Sequence, residues 1–557
     1  VSGHTVHPGH SGPSGPSGHS GPDEFDVIVV GAGSAGCAVA GRLTEDPSLR
    51  VLLLEAGGSD DVLEVQIPAA LYKVFRTRLD WNYTTEPQPG LDGRTLFWPR
   101  GKLLGGSSSI NAMIYMRGAA ADYDEWAALT GDPSWSYEHV LPLFRRMEDN
   151  ARGADRYHGV GGPLRVENLR SPHVWTRAVV QSAVAAGHPR NDDFNGAALE
   201  GVGQYQVTQK RGRRWSAADA YLHPAMGRPN LTVRTGALTT RVLMSDGRAT
   251  GVEYRSGGRV HTARAIREVV LSGGAVNTPQ LLMLSGIGPA EHLRAVGVDV
   301  VQDLPGVGSG LQDHPLVPVV WNVRSGKSLF RAESPSGYAK WFGARRGPLT
   351  SNLAEAGLFT RSAPQLPEPD LQMHFLPVKF WKQAEVDPDV DAFTAAVVLV
   401  HVHSRGSVRL RSADPTWAPA IDAGYLTDER DLDALVRGVE KVREIAATGP
   451  LATVLADEWS PGGTVHGRDA LRASVKDTLE SLYHPVSSCR MGSADDDSAV
   501  VDPQLRVRGI QGLRIADASV MPTLVRGNTN APTIMIGERA ADLILGRTVD
   551  PELASAG

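Results

Sequence analysis

Residues 25–57, FDVIVVGAGSAGCAVAGRLTEDPSLRVLLLEAG, decide the fold class of this 557-residue chain. FDVIVV (25–30) is a short apolar run rich in β-branched residues, suited to a parallel strand covered on both faces. A glycine turn follows, then an alanine-rich helix predicted over 35–45 and closed before Pro47. RVLLLE (50–55) supplies a second buried strand and completes β-α-β. Gly31, Gly33 and Gly36 set G-x-G-x-x-G at the strand-to-helix turn. The first allows the sharp turn, the second leaves room for a pyrophosphate, and the third lets helix and strand approach. The phosphates then face unpaired N–H groups at the helix N-terminus, beside Ser34. Glu55 ends the second strand, with Ala56 after it. A carboxylate there accepts both hydroxyls of an adenosine ribose and repels a 2′-phosphate. The spacing predicts a Rossmann-type α/β domain for an adenine dinucleotide, disfavours NADP, and leaves FAD and NAD open.

The rest of the chain is read outward from this unit. A length of 557 residues predicts two closely associated domains. An apolar share of 41% and a charged share of 21% belong to a globular protein. The net charge of −6 gives no general cationic field, so nucleic acid is not an expected partner. The two cysteines, Cys37 and Cys489, are expected to be free thiols, and they are too few for a cysteine metal cluster. No metal site is expected. No run approaches about 20 uninterrupted apolar residues, so no spanning helix is expected. The visible start lacks the apolar core of a secretory signal, which gives a cytoplasmic expectation by default. Residues 1–24, almost wholly Gly, Ser, Pro and His, read as a disordered arm or a cloning-derived extension.

Further along, WSYEHVLPLFRRMEDN (135–150) reads as an amphipathic helix with a bend or boundary at Pro142. Residues 231–255 alternate in short runs broken at Asp246-Gly247, the pattern of an antiparallel hairpin. Val269–Leu271 reads as a strand, Thr278–Leu284 as a helix, and 429–448 as a helix with Leu432, Leu435, Val439 and Val442 on one side. Leu513–Ala516 reads as a strand, and Asn530-Ala531-Pro532 as a structural turn. Residues 315–420 look the least regular, with strands over 393–412 and a turn at Arg405-Gly406.

Four segments together resemble the glucose–methanol–choline oxidoreductases, most of all bacterial alcohol oxidases and choline-dehydrogenase-like enzymes. They are the fingerprint at 31–36, RGKLLGGSSSINAMIYMRG (100–118), GAVNTPQLLMLSGIGP (274–289), and YHPVSSCRMG (483–492) with ADASVMPTLVRGNTNAPTIMIGERAADLI (516–544). The likeness runs from about residue 25 to 548. It implies an FAD-dependent enzyme with a Rossmann-type FAD-binding domain and a discontinuous α+β substrate-binding domain. The FAD domain is expected from 25–154, 211–314 and 466–557, and the substrate domain from 155–210 and 315–465. By position, Arg100, Leu104, Gly105, Gly106, Ser107, Asn111, Ala112 and Met113 are expected at the flavin. Val242 matches a residue whose backbone meets adenine, Asp517 and Ala518 match the pair beside the pyrophosphate, and Asn528 and Thr529 complete the cofactor set. Some relatives attach FAD through a histidine just before the second motif. Trp98 stands there in this chain, so non-covalent FAD is expected.

The same resemblance places His484 and Asn528 at the substrate, in the subset pairing histidine with asparagine. A neutral imidazole accepts the hydroxyl proton, the amide orients the hydroxyl, and hydride leaves the carbinol carbon for flavin N5. Glu355 and His374 fall in segments similar to the family's pocket strands and are expected on the substrate side. An aromatic supply for an apolar pocket comes from Trp321, Phe330, Trp341, Phe342, Phe359, Phe375, Phe380 and Trp381. The expectation is oxidation of a neutral primary alcohol with O2 as acceptor, by a monomer or homodimer. Three alternatives stay open: an alcohol or choline dehydrogenase using another acceptor, a hydroxynitrile lyase-type enzyme, and a non-catalytic flavin-bound scaffold.

Overall fold

The computed structural model describes residues 23–329, 333–382, 385–386 and 390–547. Most of the expected N-terminal arm, and Phe330, lie outside the described residues. Asp23 and Glu24, assigned to that arm from composition, belong instead to the first strand, β1 (Asp23–Val30).

β1 leads into helix α1 (Ser34–Leu43), and α1 returns to β2 (Val51–Leu54). The three form the core of a seven-stranded sheet. Its parallel part runs Leu231–Arg234, β2, β1 and the long strand Arg259–Leu271, and Leu513–Ile515 joins that long strand also in parallel. Leu238–Ser245 and Arg248–Ser256 are antiparallel and turn at Asp246-Gly247, the hairpin expected from the sequence. Val27–Val29 and Val51–Leu53 are completely buried, as fits strands covered on both faces.

Gly36 explains how tightly α1 sits. A Cβ at residue 36 would lie 1.9 Å from the carbonyl oxygen of Gly31, so only glycine lets the helix leave the strand at this angle. Helix α2 (Gly274–Leu284) starts four residues earlier than the sequence suggested and carries Pro279 inside it. The helix expected over 135–150 spans Tyr137–Met147, and Pro142 lies within it.

Residues 315–420 depart most from expectation. They supply most of a second seven-stranded sheet, wholly antiparallel, in the order Leu455–Ser460, β3 (Pro315–Val323), Ala392–Leu399, β4 (Leu371–Leu376), Ala356–Thr360 and Gly201–Gln204. Glu480–Ser481 pairs with β3 and so joins this second sheet, although 466–557 was expected in the FAD domain. Every residue of β4 and of Ala392–Leu399 is buried. Strands covered on both faces show no polar alternation, which is why the segment looked irregular. Helix α3 (Glu429–Ala446) covers one face, where Gly438 lets it lie against Val397 and Leu371. Residues 372 and 374 point to the opposite face by the two-residue period of a strand.

The last helix, α4 (Asn530–Leu545), lies along α1, and a Cβ at Gly537 would meet the backbone of Ala35 at 2.6 Å. Asn530-Ala531-Pro532 is therefore the first turn of a helix and not an isolated turn, because proline is tolerated where the N–H has no intrahelical partner. Cys37 and Cys489 are buried free thiols. Among the described residues no helix is long and apolar enough to cross a membrane.

Candidate active site

A cavity of about 520 Å³ runs between the two sheets. One end is the glycine turn. Gly31 has φ +99°, a backbone region that disfavours a side chain. A Cβ on Gly33 would find only the Ser272 carbonyl within 4 Å, at 3.8 Å, so this glycine opens straight into the cavity. Gly106 closes the cradle from the other side, and a Cβ there would stand 2.8 Å from the Gly33 Cα. Two backbones thus meet around a groove at the N-terminus of α1, which is the shape an elongated diphosphate requires.

Glu55 borders the groove. Its carboxylate accepts the backbone N–H groups of Ala32 at 2.9 Å and Gly57 at 2.8 Å. Burial pushes its pKa up to about 7, against the pull of those two donors. Asp517, also on the wall, accepts from Gly274 N at 2.8 Å, Thr278 Oγ1 at 2.6 Å and Ser519 N at 2.8 Å. Asn530 meets the other end of this arrangement, accepting from Ser34 Oγ at 2.8 Å.

The segment 106–113 is shaped from behind by a residue that the sequence did not flag. Buried Arg214 donates Nη1 to the carbonyls of Ser108 at 3.2 Å and Asn111 at 2.7 Å, and to Asn111 Oδ1 at 2.8 Å. Asn111 Oδ1 also accepts from Met113 N at 2.9 Å, holding Met113 at φ +56°. The glycines and serines of the wall fit a flat, phosphate-bearing cofactor in shape, with Glu55 at one end placed to accept hydroxyls.

At the far end His484 and Asn528 share the wall. Asn528 Nδ2 lies 3.4 Å from His484 Nε2, and His484 Nδ1 lies 2.9 Å from His314 Nδ1. The backbone around His484 is fixed at several points. Asp313 Oδ1 accepts its N–H at 2.6 Å, and Arg100 Nη2 donates to the Tyr483 carbonyl at 2.5 Å. Tyr483 is held at φ +68°, a strained position for a non-glycine residue that costs about 1 kcal/mol or more. Asp313 is itself pinned by Tyr425 Oη and Ser481 Oγ. Burial, then the rings of His314 and His374 and the charge of Arg100, hold the His484 pKa well below its ordinary value, so the imidazole is neutral. The sequence flagged neither His314 nor Asp313.

Most of the expected site residues line this one cavity: Gly31, Gly33, Ser34, Glu55 and Ala56; Arg100, Gly106, Ser107, Asn111, Ala112 and Met113; and His374, His484, Asp517, Ala518, Asn528 and Thr529. Leu104, Gly105 and Gly36 stand behind the wall and shape it. Gly105 has φ +83°, and its N–H donates to the Ala32 carbonyl at 2.8 Å.

Two further expected residues do not line the cavity. Val242 does not reach the cavity; its N–H donates to Ser285 Oγ at 2.9 Å, and Ala237, Leu238 and Thr239 form the wall there. Glu355 is fully buried away from the cavity, accepting from His173 N at 2.6 Å, Thr176 Oγ1 at 2.5 Å and Ser351 Oγ at 2.6 Å. It ties the start of the helix Val174–Ala185 to the 351–355 segment and offers no charge to a substrate. Of the described aromatics named from sequence only Phe380 lines the cavity, while Phe75 and Tyr483 take part unforeseen. Trp98 is buried, with its indole N–H donated to Tyr425 Oη at 3.2 Å.

Asp60, Asp219 and His223 also come together, away from this cavity. His223 Nε2 faces Asp60 at 3.1 Å and Nδ1 faces Asp219 at 3.6 Å, each nitrogen on a different carboxylate. Those two partners raise its pKa to about 10, the geometry of an imidazolium bridge.

A two-domain α/β fold with this cradle defines a dinucleotide-dependent enzyme with a separate substrate domain. Residues 25–316 and 402–537 match the GMC oxidoreductase family, and the chain belongs to it. The chain is 48% identical over 531 residues to an uncharacterized GMC-type oxidoreductase of Mycobacterium tuberculosis, covering 93% of this chain and 99% of the relative. It is 45% identical over 537 residues to the mitochondrial choline dehydrogenase of Homo sapiens, covering 94% of this chain and 90% of the relative. Among solved structures, pyridoxine 4-oxidase from Mesorbium loti matches with a TM-score of 0.87 at 32% identity, over 94% of this chain and 99% of that one. The protein is thus an FAD-dependent redox enzyme for alcohol-like substrates.

Proposed function

We propose that this enzyme oxidises a neutral primary alcohol, aliphatic or aromatic, to its aldehyde, with non-covalent FAD and with O2 as final electron acceptor. The carrying observation is the meeting of His484 Nε2 and Asn528 Nδ2, 3.4 Å apart, on the cavity that the glycine cradle opens. FAD, when bound, supplies the two-electron acceptor.

The residues of the chain do the rest. His484, neutral because it is buried among other rings, accepts the hydroxyl proton. His314 Nδ1, 2.9 Å away, orients the imidazole and steadies the charge it gains. Asn528 cannot act as a base; its amide N–H holds the substrate oxygen and stabilises negative charge developing there. Fixed backbone at Tyr483 and His484 makes the approach reproducible, which matters as much as basicity.

Charge supports a neutral substrate. Glu55 and Asp517 are the carboxylates among the described wall residues, and both belong to the cofactor end. The wall near His484 holds Phe75, Ile114, Leu316, Leu376 and Phe380, which offer a cation no counter-charge. Positive charge from Arg100, and from His484 once protonated, favours electron transfer to oxygen.

The test mixes the purified flavoprotein anaerobically with benzyl alcohol, hexanol, choline and a sugar, then admits air. Bleaching by the first two, with return of colour and one peroxide per aldehyde, is expected. Bleaching by choline alone would overturn the neutral-substrate reading, and reoxidation without peroxide would overturn oxygen as acceptor. Cyanohydrin cleavage predicts no bleaching by any alcohol. H484A should keep its flavin and lose its reduction; a variant reduced at the wild-type rate removes the base assignment.

A further inference from the structure

Gln372 lies on β4, fully buried and one step behind the cavity wall. Its Nε2 donates to Tyr205 Oη at 3.0 Å and to Asn528 Oδ1 at 3.3 Å. Tyr205 Oη lies in turn 3.1 Å from His374 Nδ1. The proton directions along this chain follow from the way the Gln372 amide is turned. With Gln372 donating, Asn528 Oδ1 is taken, so the Asn528 amide must turn its Nδ2 towards His484 Nε2. An amide nitrogen only donates, and the facing imidazole nitrogen must carry a lone pair. The single ring proton of His484 then resides on Nδ1 and is given to His314 Nδ1. A reversed Gln372 amide would reverse every step. Its carbonyl would draw Asn528 Nδ2, the Asn528 carbonyl would face His484, and Nε2 would have to hold a proton.

We propose that Gln372 is a positioning residue: braced by Tyr205, it orients the Asn528 amide so that His484 presents an unprotonated Nε2 to the substrate. The proposal rests on the assignment of His484 as base. The charged and titratable groups facing that imidazole are His314 just before β3, His374 on β4, Arg100 at the start of the 100–118 segment, and Asp313, which holds the His484 backbone.

The experiment compares wild type, Q372E, Q372M and H484A by flavin content, by the pH profile of flavin reduction, and by 15N NMR of histidine. An ionised carboxylate at 372 only accepts, so Q372E should turn Asn528 round and favour a proton on Nε2. The acid-side limb of kcat/KM should then move up by about one pH unit or more. Q372M, of similar volume without a donor, should lower kcat about tenfold and leave KM within about twofold. In the NMR spectrum the resonance pair missing from H484A should report an Nδ1–H imidazole in wild type and a proton on Nε2 in Q372E. Superimposable pH profiles and an unchanged tautomer in Q372E, with kcat of Q372M at the wild-type value, would overturn the proposal. Should Q372E fail to hold flavin, Y205F removes the brace and should move the profile in the same direction; an unmoved profile counts against the relay. If H484A is reduced as fast as wild type, the base assignment fails; if only the Gln372 variants behave as wild type, the relay alone fails.

Discussion

Two glycines three residues apart should respond to alanine in opposite ways. At Gly36 the new methyl would sit 1.9 Å from the Gly31 carbonyl oxygen. Reaching ordinary contact needs a shift of about 1.5 Å between α1 and the turn that starts it, against backbone on both sides. Overpacking of this kind costs about 3 kcal/mol or more, and G36A should lower the melting temperature whether or not FAD is present. At Gly33 the nearest atom is 3.8 Å away, and the residue already has φ −78°, which alanine adopts freely. G33A should leave the apoprotein's melting temperature nearly unchanged. Its methyl, however, occupies the groove where a diphosphate approaches the first N–H groups of α1. Losing two charge-assisted hydrogen bonds at about 1.5 kcal/mol each gives about 3 kcal/mol, or about 10²-fold in FAD affinity. Thermal denaturation of the apoproteins and FAD titration by flavin fluorescence measure the two quantities separately. G33A binding FAD within threefold of wild type, or G36A melting with wild type, would refute the reasoning.

Three further outcomes are expected. N528A should keep its flavin while stopped-flow reduction slows about 10²-fold, the lower range for losing one transition-state donor; a rate within threefold would remove Asn528 from the chemistry. His314 and His374 are held neutral down to about 3 by burial, from an ordinary value of 6.5. Unfolded chain therefore binds protons that the native state refuses, so stability is full above about pH 6.5 and falls as pH drops towards about 3. A melting temperature that stays flat between about pH 7 and pH 4 would contradict this. Protein precipitated with trichloroacetic acid should release all its yellow colour, because Trp98 stands where a linking histidine would be needed; colour retained in the pellet would show a covalent bond.

The dinucleotide domain was legible because its determinants are local. Gly31, Gly33, Gly36 and Glu55 lie within one β-α-β unit, and each has a physical reason at its own position. His484 and Asn528 were legible only through resemblance, since nothing local to Tyr483-His484-Pro485 reveals a partner 44 residues on. Their support was not legible at all. Asp313, His314, Gln372 and Tyr205 act through contacts between segments far apart in the chain, which no local pattern states. Glu355 shows the converse: it stands just ahead of the strand Ala356–Thr360, and its side chain is turned to Ser351, Thr176 and His173 by contacts that no local pattern states. The second sheet escaped notice for the related reason that double burial erases the alternation by which strands are found.

The seating of α4 along α1 has a consequence for how the enzyme matures. Residues 528–530 complete a groove whose floor was laid down nearly five hundred positions before. A ribosome must therefore deliver the chain through α4 before the groove is complete. A chain cut short ahead of α4 is expected to stay colourless, so that yellow colour in a cell extract would report synthesis carried through to that helix.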